Sequence, residues 1–384
     1  MTNSQRVLAL AKNLIATNSE NPPGREKEVA EVLRSHLEPH GILCTQVGSD
    51  DRPNLLFSTH EGDMGSLVLH GHMDTVPAGP IEKWKFDPFG CIMANGRLYG
   101  RGAADMKGPL AALAETMILY KRENHKEPLL LLATSNEENG LLGAEEVADS
   151  GILQGVEYGV CAEPTGLQLF LGEKGVVWVK VTAKGKTGHS SRPDTGMNAI
   201  DLCIQAIQVL TQGDYPSKPD ALLGNHTMNV GRIKGGTQQG VIPESCEALI
   251  DMRIVKGQTP ESIMNLMQQH LDDAGIGQHI SIENYNRSYT TITPVDSKIV
   301  RFASSAIVDL TGLPPKLGVA TYGSDSSVLQ NRVGISNIIY GPGSIAQAHQ
   351  PNEYIEIDEL LKSIDVYLHI ARAFDDEKQN PQIR

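Results

Sequence analysis

Apolar residues follow two different patterns along this sequence. In the first pattern, short apolar runs alternate with amphipathic segments. Residues 128–134 form one of the apolar runs, in which four consecutive leucines are followed by alanine. Strands of this kind are typical of sheets that helices cover on both faces. The pattern predicts an α/β layer with strands at 54–59, 66–70, 128–134 and 337–340 and helices at 4–15, 25–40, 106–121, 141–150, 298–311, 326–331 and 357–373.

The second pattern is found in the middle of the chain, where predicted strands and helices follow one another in the order β-α-β-β-α-β. This is the order of a ferredoxin-like unit, which is compact enough to be inserted into another domain. With 384 residues the chain also exceeds the about 250–300 residues at which one hydrophobic core stops growing. We predict a discontinuous domain at 1–175 and 287–384 and an inserted domain at 176–286. The elements of the inserted domain are strands at 176–184, 228–235, 245–255 and 279–286 and helices at 196–212 and 260–273.

The net charge narrows the set of partners. The formal charge is -13, from 46 acidic and 33 basic residues. Such a field repels a phosphate backbone, so we expect no nucleic-acid partner. An acidic balance is equally compatible with simple solubility and with clustered carboxylates that bind divalent cations.

Cysteine usage and the N-terminus bear on location. The five cysteines are odd in number, widely spaced and without a C-x-x-C pair, so we predict reduced structural thiols. Residues 1–13 lack the charged and apolar regions of a signal peptide, and no apolar run approaches the about 18 residues of a membrane span. We therefore expect a cytoplasmic protein without a membrane partner.

The most informative segment is an apolar strand that runs into His70-Gly71-His72-Met73-Asp74. Alternate residues of a strand point the same way, so His72 and Asp74 share a face. This arrangement suits a metal-ligating imidazole whose second ring nitrogen is held by a carboxylate. His70 lies on the same face by the same parity, but a lone histidine on an apolar strand is usually structural, and we interpret it as a core residue.

Further acidic residues and a histidine follow predicted strands or glycine-rich turns. Asp105 lies in a glycine-rich loop that opens a helix, where a carboxylate more often caps the first turn. Glu137 and Glu138 follow the run of four leucines, although paired glutamates more often form the solvated start of a helix. Glu163 ends another short strand, and His349 follows a strand near the end of the chain.

These strand-end residues would form one site if they converge on a single crevice. Open α/β sheets bind their ligands in such a crevice, at the carboxyl ends of the strands. Two histidines and three carboxylates then suit two divalent ions that share one bridging carboxylate. We predict two zinc ions per chain, and so oxygen-rich a ligand set would also accommodate cobalt or manganese.

The sequence resembles the zinc aminoacylase and carboxypeptidase superfamily, which includes acetylornithine deacetylase, succinyl-diaminopimelate desuccinylase and carboxypeptidase G. The resemblance covers nearly the whole chain. Its motifs, in family order and at compatible spacing, are His70-Gly71-His72-Met73-Asp74-Thr75-Val76-Pro77, Gly102-Ala103-Ala104-Asp105-Met106-Lys107-Gly108, Glu137-Glu138, Glu163-Pro164, Gly188-His189-Ser190-Ser191 and Ala348-His349-Gln350-Pro351. It implies a di-metal aminopeptidase-like catalytic domain with an inserted ferredoxin-like domain that serves as lid and dimerisation surface.

The resemblance also implies which residues ligate the ions. Asp105 would bridge the two metals. The remaining ligands would be His72 and Glu163 at one site and Glu138 and His349 at the other.

Three more roles follow from the same resemblance. Glu137 would be the general base, and Asp74 would orient the metal ligand His72. His189, in the inserted domain, would reach the site of a partner subunit and stabilise the oxyanion, which implies a homodimer.

Substrate contacts are implied in the inserted domain and near residue 323. Arg253 resembles the family arginine that binds the substrate carboxylate, although an ordinary surface arginine on a strand edge is the alternative. Asn229 and the loop 235–237 resemble substrate-side elements. Gly323 belongs to a Tyr-Gly-Ser-Asp-Ser segment closer to the Gly-Thr-Glu form of acetylornithine deacetylase-like members than to the glycine- and threonine-rich form of desuccinylases. Gly240 stands where many relatives carry an asparagine that touches substrate.

Together these residues predict a two-metal hydrolase that cleaves the amide bond of a small N-acyl amino acid, with an acetylornithine deacetylase-like activity favoured. A desuccinylase, dipeptidase or carboxypeptidase with the same metals is the alternative within this chemistry, because specificity depends on individual side-chain contacts. A non-catalytic binding protein is the alternative outside it. The retention of Glu137 with all five ligands argues against that alternative.

Overall fold

The computed structural model describes residues 2–62 and 64–379. Apart from the residues outside those ranges, the chain divides into two compact units, each with its own core. Unit 1 is Met1–Gly172, Ile292–Ala320 and Ser324–Arg384, and unit 2 is Glu173–Thr291 and Thr321–Gly323. Within the described ranges, no helix combines the length and the apolar character needed to cross a membrane.

The described part of the chain contains nine α-helices and eighteen strands. In chain order the helices are α1 (Asn3–Ala16), α2 (Glu26–Leu37), α3 (Lys107–Glu123), α4 (Leu142–Ser150), α5 (Ala199–Gln212), α6 (Pro260–Asp273), α7 (Lys298–Thr311), α8 (Asp325–Val328) and α9 (Ile357–Gln379). The strands are β1 (Leu43–Gly48), β2 (Pro53–Ser58), β3 (Leu67–His72), β4 (Ile92–Ala94), β5 (Arg97–Tyr99), β6 (Leu129–Thr134), β7 (Tyr158–Cys161), β8 (Leu169–Glu173), β9 (Gly175–Lys184), β10 (Gly188–His189), β11 (Thr227–Gly235), β12 (Val241–Ile242), β13 (Ser245–Ile254), β14 (Ile280–Ser288), β15 (Thr291–Ile292), β16 (Leu317–Ala320), β17 (Ser336–Ile339) and β18 (Tyr354–Glu356).

The central sheet of unit 1 is mixed, with the strand order β1-β2-β6-β3-β7-β17-β8-β15 and with β16 paired to β8. Its middle strands β6, β3, β7 and β17 run parallel to one another. Their carboxyl ends therefore meet at one edge of the sheet, where the chain continues as loops. This edge is the place at which the sequence predicted the strand-end residues to converge.

Alternate side chains of the central strands enter two different hydrophobic cores. Leu69 and Leu131 belong to the core that also contains residues of α1, α3 and α9. Val68 and Leu130 belong to a second core that includes Val147 of α4. Because successive residues of a strand point to opposite faces, this division shows that both faces of the sheet are buried. The prediction of a sheet covered on both faces is confirmed.

Unit 2 contains a four-stranded antiparallel sheet in the order β11-β13-β9-β14. Its helices α5 and α6 pack on one face, where Leu210 and Met267 join Val179 and Ile250 in a single core. The order along the chain is β-α-β-β-α-β once the two-residue strands β10 and β12 are set aside. This is the ferredoxin-like arrangement expected from the sequence.

Several short elements were missed by the sequence analysis. Strand β1 is mostly exposed, so it has no apolar alternation to reveal it. Strands β4, β5 and β18 have three residues each and form a separate small sheet in the order β18-β5-β4. Helix α5 begins at Ala199 instead of residue 196, because the side chain of Asn198 accepts the N–H of Ile200 at 2.9 Å and caps the helix there.

We expect Leu131→Ala to lower the free energy of unfolding by about 2–5 kcal/mol, because Leu131 is fully buried in the central strand β6 and its loss leaves a cavity. Urea unfolding monitored by circular dichroism measures the change. Leu43→Ala is the matched control, since Leu43 lies in the edge strand β1 of the same sheet and is 45% exposed. A similar loss in the two variants would contradict the assignment of β6 to the core.

Candidate metal centre

Four of the five predicted ligands lie at the carboxyl ends of the parallel strands of unit 1 or in the loops that follow them. His72 is the last residue of β3, Glu138 follows β6, and Glu163 follows β7. His349 is in the longer loop after β17, and Asp105 is in the loop before α3. Since β6, β3, β7 and β17 are neighbours in the sheet, the loops that follow them are brought to one place.

Asp105 lies between two pairs, each made of a histidine and a glutamate. Its Oδ1 is 3.0 Å from Nε2 of His72, and this nitrogen is 3.5 Å from Oε1 of Glu163. Its Oδ2 is 3.3 Å from Nε2 of His349, which is 3.1 Å from Oε1 of Glu138. In each group of three residues the candidate ligand atoms lie within 4.8 Å of one another. One carboxylate therefore contributes an oxygen to both groups, as a bridging ligand must.

Glu137 is the neighbour of these two groups. Glu137 forms a further possible ligand group with His72 and Glu138. Only 8% of its surface is exposed. A buried carboxylate at this position is available for proton transfer as well as for ligation.

Burial raises the pKa of most carboxylates in this cluster. It is the largest cause for Glu137, Glu138 and Glu163, and neighbouring carboxylates add to it. Burial also acts on Asp105, but hydrogen bonds from the two histidines outweigh it and lower the pKa. The pKa of His349 rises to about 10, because Asp105 and Glu138 stabilise its cationic form. The cluster thus carries excess negative charge that protons or divalent cations must neutralise.

The donor set fits divalent transition-metal ions. Imidazole nitrogens and carboxylate oxygens are ligands that such ions accept, and each three-residue group leaves room for a further ligand. The structure brings together all five residues that the sequence proposed as ligands.

Asp74 makes contacts different from the ones expected. Nδ1 of His72 is 3.0 Å from the carbonyl oxygen of Asp74, whereas the carboxylate Oδ1 is 3.7 Å away, beyond hydrogen-bond range. The carboxylate instead accepts the backbone N–H groups of Glu137 and Glu138, at 3.0 and 3.1 Å. Asp74 thus contacts His72 through its main-chain carbonyl at hydrogen-bond distance and through its carboxylate at ion-pair distance.

The structural alternatives weighed for the acidic residues do not apply. Asp105 does not cap α3, whose N-cap residue is Met106 and has no side-chain capping bond. Glu137 is buried and precedes α4 by several residues, so it is not the solvated start of that helix. His70 is fully buried, and its Nε2 is 3.0 Å from Oδ1 of Asn337, which supports the core role given to it.

Two residues of this region were missed by the sequence analysis. Asn21 donates from its amide nitrogen to Oδ2 of Asp74 at 2.8 Å and to Oδ1 of Asn136 at 2.7 Å. Glu353 accepts backbone N–H groups from the loop that carries Asp105. The only sequence signal for Asn21 was the turn Asn-Pro-Pro-Gly, and Glu353 simply follows the His349 motif by a few residues.

The remaining predicted site residues belong to unit 2. His189 is exposed at the end of β10, and its Nδ1 is 2.8 Å from Oγ of Ser191. Asn229 is exposed on β11, where its register partner across the sheet is Asp251.

Arg253 and Gly323 also lie in unit 2. The guanidinium of Arg253 forms an ion pair with Asp251 at 2.9 Å and donates to the carbonyl oxygen of Thr321 at 3.0 Å. Gly323 packs so closely that an added Cβ would lie 2.4 Å from Oγ of Ser288. At Gly240, by contrast, no atom lies within 4 Å of such a Cβ, so an asparagine side chain would have space there.

Comparison with known proteins identifies the family. The profile of the family described as Peptidase family M20/M25/M40 matches residues 68–373. A probable succinyl-diaminopimelate desuccinylase from Staphylococcus aureus (strain MSSA476) is 29% identical, over 97% of this chain and 98% of its own length. An acetylornithine deacetylase from Aliivibrio salmonicida is 31% identical over 82% of each chain. The chain therefore belongs to the M20/M25/M40 peptidase family, and it is a metal-dependent hydrolase of amide bonds.

A solved structure supports the fold. The M20 family metallo-carboxypeptidase Sso-CP2 from Sulfolobus solfataricus has a TM-score of 0.81 with 21% identity, and the match covers 96% of this chain and 99% of that one. The match confirms the expected fold class, a mixed α/β catalytic domain with an inserted domain.

Metal binding is expected to release protons. In the metal-free protein the pKa of His349 is raised to about 10, so its imidazole is protonated near neutral pH and has to lose that proton before it ligates an ion. The apparent affinity for metal should therefore increase between about pH 6 and pH 8. Titration calorimetry at one pH in two buffers of different ionisation enthalpy counts the protons. Equal heats in the two buffers would mean that no proton leaves.

Proposed function

We propose that this chain is a two-zinc enzyme that hydrolyses the amide bond of an N-acyl amino acid, with N-acetylated amino acids as its preferred substrates. One observation carries the proposal. The two oxygens of Asp105 face two separate histidine–glutamate pairs, with Glu137 beside them. A shared carboxylate flanked by two open three-residue groups suits a pair of ions better than a single structural ion.

Each ligand has a place in this proposal. Asp105 would serve both ions, and the other ligands would be His72 and Glu163 at one site and Glu138 and His349 at the second. The chemistry that bound divalent ions supply is Lewis acidity toward the amide carbonyl and toward water. Zinc is our choice of metal because its sites combine imidazole and carboxylate ligands with an open position in just this way.

Glu137 transfers the proton. Its carboxylate takes a proton from the attacking water while the water oxygen bonds to the amide carbon, and it returns that proton to the nitrogen when the C–N bond breaks. The products are a carboxylic acid and a free amine. In the metal-free protein, burial and the nearby Glu163 and Glu138 raise the pKa of Glu137. The bond from its N–H to the Asp74 carboxylate holds its backbone in place.

The substrate class is supported by the relatives and by the sequence. Both curated relatives named above remove an acyl group from an amino acid, as their names state. The segment around Gly323 is closer to the deacetylase form than to the desuccinylase form. Arg253 offers a guanidinium for the substrate carboxylate, with Asn229 and Gly323 as further substrate contacts. In this role Arg253 would exchange its present bond to the carbonyl of Thr321 for the ligand.

We propose a homodimer in which His189 of one chain stabilises the oxyanion in the other chain. The exposure of His189 within its own unit supports this role, because its imidazole is accessible to another molecule. We also propose a cytoplasmic location. It is supported by the five cysteines, all of which are free thiols in the structure.

The metal-loaded protein should hydrolyse N-acetyl-ornithine faster than N-succinyl-diaminopimelate or a dipeptide, with close to two zinc ions per chain. Metal analysis and kcat/KM for the three substrates test this together, with chelated protein as the control. Bound zinc without turnover of acetylated amino acids would remove the preferred substrate class, and faster desuccinylation or dipeptide cleavage would replace it. Absence of bound metal would remove the mechanism itself.

Glu137→Gln should leave the zinc content unchanged while kcat falls by roughly 100-fold or more, because an amide cannot accept the proton. The matched control is Glu145→Gln, which removes a carboxylate in the first turn of the adjacent helix α4 and should keep full activity. Metal analysis and initial rates on both variants decide the matter. Wild-type turnover in Glu137→Gln would show that another group is the base.

A further inference from the structure

Glu353 is a fully buried carboxylate that the roles above do not use. It lies directly before β18, a few residues beyond His349. Its Oε1 accepts the backbone N–H groups of Ala104 at 2.8 Å and Asp105 at 3.0 Å. A single oxygen of Glu353 therefore holds the main chain of the residue that lies between the two histidines.

The second oxygen of Glu353 contacts the same loop. Oε2 accepts the backbone N–H of Gly102 at 3.1 Å and Nη1 of Arg101 at 2.5 Å. The backbone adds a further bond, because the N–H of Gly100 donates to the carbonyl oxygen of Glu353 at 3.0 Å. Residues 101–105 thus direct four hydrogen-bond donors at the carboxylate of Glu353.

The shape of this loop depends on glycine. Gly102 has a φ of +85°, and a Cβ at this position would lie 2.8 Å from Cγ2 of Thr75. A glycine in this conformation lets successive N–H groups converge on one anion, which is the geometry of backbone anion-binding concavities. In this protein the bound anion is the side chain of Glu353.

We propose that Glu353 is a positioning residue for the metal centre, because it fixes the main chain of Asp105 and thereby the direction in which the bridging carboxylate points. The inference rests on the metal-bridging role proposed for Asp105. A carboxylate that serves two ions has to present both oxygens at fixed angles, so a small rotation of its backbone disturbs both groups at once. The segment 349–353 then supplies one ligand, His349, and also the anchor of the bridge.

A simpler explanation is that Glu353 only forms a buried ion pair with Arg101. The donors distinguish the two explanations, since three of the four bonds to the Glu353 side chain come from backbone N–H groups and one from Arg101. An ion pair alone predicts equal effects when either partner is removed. The positioning role predicts that loss of Glu353 is more harmful to metal binding.

The test measures the affinity of the full-length protein for Zn²⁺ by competition with a chelator, together with the zinc content and a thermal melt. Glu353→Gln should weaken zinc binding by about 10- to 100-fold, because the amide keeps one acceptor and turns an N–H₂ group toward the donors of the loop. Arg101→Met removes the ion pair and leaves the three backbone bonds, so its loss of zinc affinity should be clearly smaller.

Glu115→Gln is the matched control. Glu115 is also a fully buried glutamate of unit 1 paired with an arginine, since Nε of Arg6 is 3.2 Å from its Oε2, but it lies within α3 and touches none of the proposed ligands. This variant should lose thermal stability and bind Zn²⁺ with wild-type affinity. If it loses zinc affinity as Glu353→Gln does, general destabilisation explains both and the positioning role is overturned.

The remaining outcomes also decide the question. Wild-type zinc affinity in Glu353→Gln would overturn the inference, and so would equal losses in Glu353→Gln and Arg101→Met. If Glu353→Gln does not fold, Glu353→Asp keeps the charge but is one methylene too short to reach the loop. A folded Glu353→Asp with wild-type zinc affinity would then overturn the inference. A wild-type protein that binds no Zn²⁺ would instead overturn the proposed function.

Discussion

Repulsion among buried carboxylates is the constraint on which unit 1 depends. Four of them surround two imidazoles at one edge of the central sheet: Asp105, Glu137, Glu138 and Glu163. Burial makes each negative charge costly, and the charges also oppose one another. The loops that carry them would separate unless the surrounding structure held them together. Divalent ions relieve this repulsion, so the same cluster that opposes folding of the empty protein is a strong site for metal.

Two further carboxylates, which are not among the candidate ligands, hold the loops of the cluster in place by accepting backbone hydrogen bonds. Asp74 accepts the N–H groups of Glu137 and Glu138, and Glu353 accepts those of Ala104 and Asp105. Each of these carboxylates thus fixes the main chain of a loop that carries charged side chains of the cluster. Parallel strands bring the loops to one edge, but these hydrogen bonds determine how each ligand is oriented.

Many strands of the fold and the candidate ligands could be predicted from the sequence. The elements and contacts that were missed were missed for physical reasons. Strand β6 was found because it is apolar on both faces, and the candidate ligands were found because they follow strands or glycine-rich turns. Strand β1 was missed because its exposed residues show no pattern. The sequence also placed Asp74 beside His72, but the hydrogen bond of His72 at 3.0 Å goes to the main-chain carbonyl of Asp74, which strand parity does not report. Glu353 was missed because its partner Asp105 is 248 residues away, and no local pattern reports such a contact.

The order of these pieces along the chain bears on how the protein is made. His72, Asp105, Glu138 and Glu163 all precede unit 2, whereas His349 and Glu353 follow it. A chain growing on the ribosome therefore carries these four candidate ligands while the whole of unit 2 is synthesised. His349 and Glu353 are synthesised only after the last residue of unit 2. The candidate ligand group of Asp105, Glu138 and His349 can therefore be completed only after unit 2 has been synthesised.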